Sequence, residues 1–352
     1  MITPDRPTNV IWDVTYACPL RCTHCYSESG RRPSRQLGRE DMLRVADAIV
    51  SLRPDGVALA GGEPLLVKGI FEVAERISRA DIPVVLYTGG WSLAPWMVEA
   101  AQAVLSQVVV SIDGATAEVH DRIRGRAGSF DRAMHALSLL DEAVRDRRAR
   151  GERSFSIGID YVVVRSNFHQ IEDMCTTVAP RFRGLGYLTF GAAVPAGLAS
   201  RPSFGSHELL TDGQVDLLGD PAQTRRLQSL APPSVQVTTN DNRILQMHPE
   251  LLARGMVFSA MQVEPDGAVR AMPIYEGTVG NLLTDPPADL WRRAVTRWAD
   301  PFVTRTLGPV RSMAQWAEAA RRIDYHFGSN DVRARIDRRP AYSLPVSGGQ
   351  AL

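Results

Sequence analysis

The chain has 352 residues, 44% of them hydrophobic and 22% charged, with 40 basic against 39 acidic side chains and a formal net charge of +1. That composition excludes an extended disordered chain, and the cancelled charge excludes a whole-molecule field that gathers nucleic acid or anionic membrane. No apolar run approaches the ~18 residues needed to span a bilayer, and the first residues lack a basic segment followed by an apolar stretch, so the expectation is a cytoplasmic protein with no membrane partner.

Short apolar or β-branched runs read as buried strands at 10–16, 57–60, 84–88, 108–112, 157–164 and 187–190. Between them, helical spacing is carried by Met42, Val45, Ala46, Ile49 and Val50, then by Ile70, Phe71, Ala74 and Ile77, then by Phe130, Ala133, Leu137, Leu140 and Val144. The cationic run 145–150 that ends the last stripe suits a helix C-terminus and solvent. Strands alternating with helices at about 25 to 40 residues per unit is the pattern of parallel strands with helical crossovers. Six such units fall short of a closed eight-stranded barrel and predict an α/β fold, an open, partial (β/α)6 TIM-like barrel. In such barrels chemistry collects on the loops at the carboxyl ends of the strands.

Residues 192–206, rich in Pro, Gly and Ser, read as a loop leaving the barrel. Beyond them, 261–263 and 268–271 flank Pro265-Asp266-Gly267, a hairpin turn, and helical patterns follow at 290–298 and 312–327. The last segment, with Pro340, Pro345 and Gly348-Gly349, predicts a disordered tail. The expected division is a barrel over 1–197, a small C-terminal region over 198–337 and a tail over 338–352.

Cys18, Cys22 and Cys25 lie together on the loop after the first strand, and Cys175 stands alone. Clustered cysteines in a reducing compartment bind metal more often than they pair, because the thiols stay available as thiolates. A four-iron cubane held by three protein thiolates keeps one iron open to a substrate or cofactor. With His24, the same cysteines also form a zinc ligand set, which would be structural. Gly61-Gly62-Glu63-Pro64 ends the second strand: the glycines allow close approach of backbone to a ligand, and Glu63 offers an anionic acceptor for an amino group. The alternative is a glycine turn with a surface Glu. Ser111-Ile112-Asp113-Gly114 ends the fourth strand, and His120-Asp121-Arg122-Ile123-Arg124-Gly125 follows it.

The cysteine spacing and the Gly61 to Pro64 motif, on consecutive strands in this order, resemble the two signatures of the radical S-adenosylmethionine (SAM) superfamily. The resemblance covers 9–197. It implies one [4Fe-4S] cluster on Cys18, Cys22 and Cys25, and SAM bound with its amino group at Gly61, Gly62 and Glu63. Ser111 and Asp113 would approach its ribose or sulfonium side, and Arg124 its carboxylate, against competing roles in capping and ion pairing. Thr88-Gly89-Gly90, Arg165 and Asn167 either line that site or serve as turn and N-cap. The implied activity is cleavage of SAM to a 5′-deoxyadenosyl radical that abstracts a substrate hydrogen, with the electron supplied by a carrier such as flavodoxin or ferredoxin.

The phrases Trp12-Asp13-Val14-Thr15-Tyr16-Ala17-Cys18 and Asp113-Gly114-Ala115-Thr116-Ala117-Glu118-Val119-His120 are most similar to a peptide-modifying branch that includes mycofactocin maturase and the anaerobic sulfatase-maturating enzymes. This implies a ribosomally made peptide as substrate, in natural-product biosynthesis. Such relatives usually carry a SPASM or twitch domain whose hairpin is bracketed by cluster-binding cysteines. Here the brackets are Met261 and Met272, and no cysteine follows Cys175, so the C-terminal region is expected to be a SPASM-like remnant without an auxiliary cluster. That loss, with no peptide-recognition segment ahead of the first strand, favours instead a small-molecule substrate such as a sugar, nucleoside or aminocyclitol. If the SAM motifs are relics, the chain is a non-catalytic metal-binding protein. Cys175, on a helix expected at 171–183, either packs in the core or donates hydrogen to a substrate radical.

Three clustered thiolates and one distant cysteine set the iron content. Anaerobic reconstitution is expected to load about four irons and four sulfides per chain, one cubane; eight irons would refute the single-cluster reading.

Overall fold

The computed structural model describes residues 4–342. Six parallel strands run in chain order, β1 (Asn9–Thr15), β2 (Gly56–Gly61), β3 (Val84–Thr88), β4 (Gln107–Ser111), β5 (Ser156–Val163) and β6 (Leu185–Ala192). The first five are joined by the helices α1 (Arg39–Ser51), α2 (Ile70–Ser78), α3 (Pro95–Val104), α4 (Ala117–Arg124) and α5 (Ser129–Ala149). This is the partial barrel expected from the alternation of apolar runs. The sheet extends beyond it at both edges. β7 (Gln236–Asn240) pairs parallel with β6, and β8 (Ala260–Val263) pairs parallel with β1, from Asn9 against Ala260 to Trp12 against Val263. Two antiparallel strands, β9 (Ala268–Arg270) and β10 (Thr278–Asn281), complete one open ten-stranded sheet.

Local sequence sets these elements. The β4 run Val108, Val109 and Val110 is buried throughout, as a central parallel strand covered on both faces requires. Thr116 caps α4 by accepting from the Val119 N–H, and Gly125 closes it in a left-handed conformation, φ 65°. Asp121, inside α4, accepts from Gly128 N at 2.6 Å, Phe130 N at 2.7 Å and Ser129 Oγ at 2.8 Å, and so starts α5. A cap of this kind is worth roughly 1 kcal/mol. Helix faces such as Val45, Ala46 and Ile49 of α1 meet the outer face of the sheet in one core.

Three segments differ from expectation. The helix expected at 171–183 is broken into a short α segment (Ile171–Asp173), a π turn (Met174–Val178) and a 3-10 turn (Ala179–Arg181). Pro180 lacks the N–H that a continuous helix needs. The segment 192–206 does not leave the barrel. Its turn Gly197–Ser200 and short helix Pro202–His207 fold back over the cysteine loop, burying Leu198, Ala199 and Phe204. Finally, the tail expected from residue 338 is ordered through 342: Arg339 pairs with Glu28 at 2.8 Å, and the Tyr342 ring meets Phe204 edge-on at 5.1 Å. The rest of that tail, 343–352, lies outside the described residues.

The C-terminal region is therefore continuous with the barrel sheet, and the expected border at 197 separates no two sheets. Met261 and Met272, which stand where relatives are expected to carry cluster cysteines, are both buried in the apolar core. Flexible thioethers fill such irregular space well. Beside them Arg270 is wholly buried between Glu264 at 2.9 Å and Glu276 at 3.5 Å. Arg335, from the helix Asn330–Asp337, joins Glu276 to Glu28 and so ties the C-terminal helix to the turn after Cys25.

Candidate active site at the cysteine loop

The loop carrying Cys18, Cys22 and Cys25 leaves the end of β1, and its backbone is gripped from three sides. From β2, Gly62 N donates to Thr15 O at 2.6 Å and Glu63 N to Ala17 O at 2.9 Å. From α4, the carbonyls of Ile123 and Arg124 accept from Thr23 N and Arg21 N at 2.9 and 3.0 Å. From the segment after β6, Leu198 N donates to Cys25 O at 3.0 Å. Close approach explains the glycines: a Cβ on Gly62 would stand 2.1 Å from Ala17 O, and one on Gly125 would stand 2.4 Å from Arg21 O. The paired glycines of the Gly61 to Pro64 motif thus press against the cysteine loop, and both also line the cavity onto which the cysteines open, as the approach to a ligand expected from the sequence requires.

All three thiols line one cavity of about 390 Å³, within the usual range for ligand sites. Burial, reinforced by its neighbouring thiols, pushes Cys18 up to about 12. Burial likewise pushes Cys22 up to about 11, against the pull of Arg124, whose Nη1 lies 3.9 Å from the Cys22 sulfur. Left to themselves such thiols stay protonated, whereas a bound cation deprotonates a coordinating thiol outright. Among the described residues, no three Cys, His, Asp or Glu side chains meet at a single-ion site. His24 turns its Nε2 to Asp113 at 2.8 Å, which leaves the three cysteines, without the histidine of a zinc set, as the thiol ligands on the cavity.

Beside the thiols lies Glu63, buried yet lining the cavity. Its carboxylate accepts from Thr88 Oγ1 at 2.8 Å, Gly89 N at 3.0 Å and Leu65 N at 3.2 Å. Burial nevertheless raises its pKa above the ordinary value. Three donors on about four lone-pair sites leave room for one more donor from the cavity. Ser111 and Arg124 also line it.

Asp113 does not line the cavity. It is fully buried behind it and pairs with Arg124 Nε at 2.7 Å and with His24 Nε2 at 2.8 Å, while also accepting from Val162 N at 2.9 Å. Burial works against its ionised form, but Arg124 and His24 outweigh burial and hold its carboxyl well below the usual range. Asp113 therefore aims Arg124 and His24, both of which reach the cavity. Burial lowers His120 to about 4, so its neutral Nδ1 accepts from Asp113 N at 3.1 Å and fixes the end of β4.

Thr88 and Gly89 line the cavity through their bonds to Glu63. Asn167 and Arg165 do not line it. Asn167 is buried and spends its amide on Asp113 O, Val162 O and Val164 N, and Arg165 reaches out to Ser206 O and Leu209 O. Cys175 is likewise away from the cavity, wholly buried in the core, where burial pushes its thiol up to about 12. This placement favours packing over hydrogen donation.

Sequence reasoning missed the far wall. Asp160 on β5 stands beside Ser111 of β4, and burial, with the Asp113 charge, pushes it up to about 6. A lone acid in the apolar run of a buried strand was the available signal. Tyr26 donates to Asp13 at 2.5 Å, and Gln262 of β8 donates to the same carboxylate at 3.0 Å. Both line the cavity, which Phe258, Pro273 and Ile274 close from the C-terminal region.

Residues 12–174 match the radical SAM superfamily model. A mycofactocin maturase from Mycolicibacterium smegmatis is 32% identical over 176 residues, 50% of this chain and 42% of that protein. The chain thus spans less than half the length of that relative. An Fe-coproporphyrin III synthase from Methanosarcina barkeri is 25% identical over 311 residues, 82% of this chain and 74% of that protein. Among solved structures, Streptococcus suis SuiB bound to its precursor peptide SuiA shares the fold, with a TM-score of 0.64 at 14% identity over 97% of this chain and 75% of SuiB.

Gly62→Ala is expected to displace the cysteine loop, so that reconstituted protein carries less than about half the wild-type iron, since the clash at 2.1 Å is with backbone that cannot rotate away. Full iron content in a folded variant would refute that support. Asp160 has its pKa raised on folding, so the cost of its ionised form is absent below about pH 4 and complete above about pH 6. Asp160→Asn is expected to raise stability above pH 6 and leave it unchanged below pH 4, read by urea unfolding; equal stability at both ends would contradict it.

Proposed function

We propose that this chain, whose residues 12–174 are a radical SAM domain, is an enzyme that holds one [4Fe-4S] cluster on Cys18, Cys22 and Cys25 and binds SAM between Glu63 and Arg124. The observation that carries the proposal is that these five side chains line one cavity. When bound, cluster and SAM supply a carbon radical that abstracts hydrogen, chemistry that belongs to the cofactor. The chain's residues bind and orient. Glu63 offers its remaining acceptor site to the SAM amino group, and Arg124, with Nε held by Asp113, offers its terminal nitrogens to the carboxylate. Ser111, which lines the same cavity, would take the ribose. Apolar walls, among them Ile11, Ala58, Val162 and Phe258, keep water from the reacting carbon.

The substrate proposed is a ribosomally made peptide. The similarity to a mycofactocin maturase, and the fold shared with an enzyme solved on its precursor peptide, support this reading. A second reading is a compact small molecule. It is supported by the relative that matches over most of this chain, an Fe-coproporphyrin III synthase, and by the closing of the cavity by Phe258, Pro273 and Ile274.

Reconstituted enzyme with reductant and SAM is expected to release 5′-deoxyadenosine. Deuterium transferred to it from a labelled precursor peptide supports the first reading, and transfer from a labelled small molecule supports the second. Replacing Cys18, Cys22 or Cys25 by alanine is expected to abolish cluster and cleavage together. Cys175→Ala, in the core and off the cavity, is expected to retain both and to yield the wild-type product; less product or a different one would reinstate Cys175 as a hydrogen donor.

A further inference from the structure

The outward side of the cysteine loop is covered by arginines. Arg21 donates to Cys18 O and Leu20 O, both at 2.9 Å, Arg31 to Arg21 O at 2.5 Å and Cys22 O at 3.4 Å, and Arg126 to Pro19 O at 2.7 Å. Arg126 also lies 3.7 Å over the Trp91 ring, with Arg132 over the same ring at 5.6 Å. All four arginines are exposed. About half of the exposed arginines elsewhere on this chain, such as Arg39, Arg76 and Arg79, are paired with a carboxylate. Among the described residues, none of Arg21, Arg31, Arg126 and Arg132 lies within ion-pair distance of one. The nearby carboxylate of Asp121 is spent on the start of α5, and Glu118 stays 3.9 Å from Arg122. The residues outside the described range carry no acidic side chain. Four exposed arginines outside any ion pair thus gather behind the three thiols of a chain whose net charge is only +1.

We propose that this arginine face, with Trp91 at its centre, is the docking surface for a small acidic one-electron carrier protein. The inference rests on the radical SAM reading, which requires one electron per SAM cleaved. The arginines place the carrier against the carbonyls of Cys18 and Cys22, the short covalent route to the thiols. One electron leaves the reduced carrier and enters the cluster; no proton or group passes between the proteins. Charge of opposite sign steers such encounters and makes them fall with salt. Arginine beside an aromatic ring is also the composition of an interface centre.

The test uses the reconstituted holoenzyme with reduced flavodoxin in one arm and dithionite in the other. Arg132 makes no bond to the cysteine loop, so Arg132→Glu changes the face without touching the cluster. The variant is expected to keep its iron and its dithionite-driven rate of 5′-deoxyadenosine formation. Its flavodoxin-driven rate at low carrier concentration is expected to fall about tenfold, the low end of electrostatic steering. The double variant Arg126→Gln with Arg132→Glu is expected to fall further. Independently of turnover, flavodoxin binding to the wild-type protein is expected to weaken as salt is raised from 20 to 200 mM, about threefold or more, with a shallower dependence in Arg132→Glu. An unchanged flavodoxin-driven rate would overturn the proposal, as would equal losses with both reductants or salt-independent binding. Failure of wild-type enzyme to cleave SAM with dithionite would sink the radical SAM reading instead, and that arm does not involve the arginine face.

Discussion

The constraint on which the rest of the site depends is the backbone of the cysteine loop. A loop that must present three thiols to one cavity cannot also form regular structure, so its N–H and C=O groups need partners from elsewhere. They come from the end of β2, the last turn of α4 and the segment after β6, each of which brings backbone against backbone. Glycine at 62 and 125 is what that contact demands, since any side chain would stand inside van der Waals distance of a carbonyl. The loop is thus placed by three elements distant in sequence.

Charge is handled in two layers around this loop. Toward the cavity, Asp113 is buried with Arg124 and His24, so that a guanidinium and an imidazole reach a site with few other cations. Isolated charges at such depth would be prohibitive, and the pairing makes them affordable while fixing their direction. Toward solvent, arginines satisfy the carbonyls of the loop itself, and their charge is left over.

In the C-terminal region, the buried Met261 and Met272 fill the volume beside the hairpin, and an ion network of Arg270, Glu264, Glu276, Arg335 and Glu28 cross-links it to the cysteine loop. The hairpin lies beside β1, which leads directly into the cysteine loop, so the region walls the cavity from the side opposite β4 and β5. It contributes Gln262, Phe258 and Ile274 to the cavity wall.

The sequence by itself determined the alternation of strands and helices, the parallel order β1 to β6, the cysteine triplet and the Gly61 to Pro64 motif, because these are written in local periodicity and spacing. It also marked Glu63 and Ser111, through their position at strand ends, and Arg124, in the segment that follows β4; all three line the cavity. What only the tertiary structure decided were contacts between distant segments: Asp113 turned inward to Arg124 rather than outward to a ligand, Asn167 and Arg165 spent on backbone, and Cys175 sealed in the core. The edge strand β7, the pairing of the hairpin arm β8 with β1, and the return of 192–206 over the cysteine loop were likewise unreadable, since a short strand carries little pattern until a neighbour pairs with it. The physical reason is common to all of these: periodicity reports which face of an element is buried, while the role of a polar side chain depends on which partner stands opposite, and that is fixed only when the elements pack.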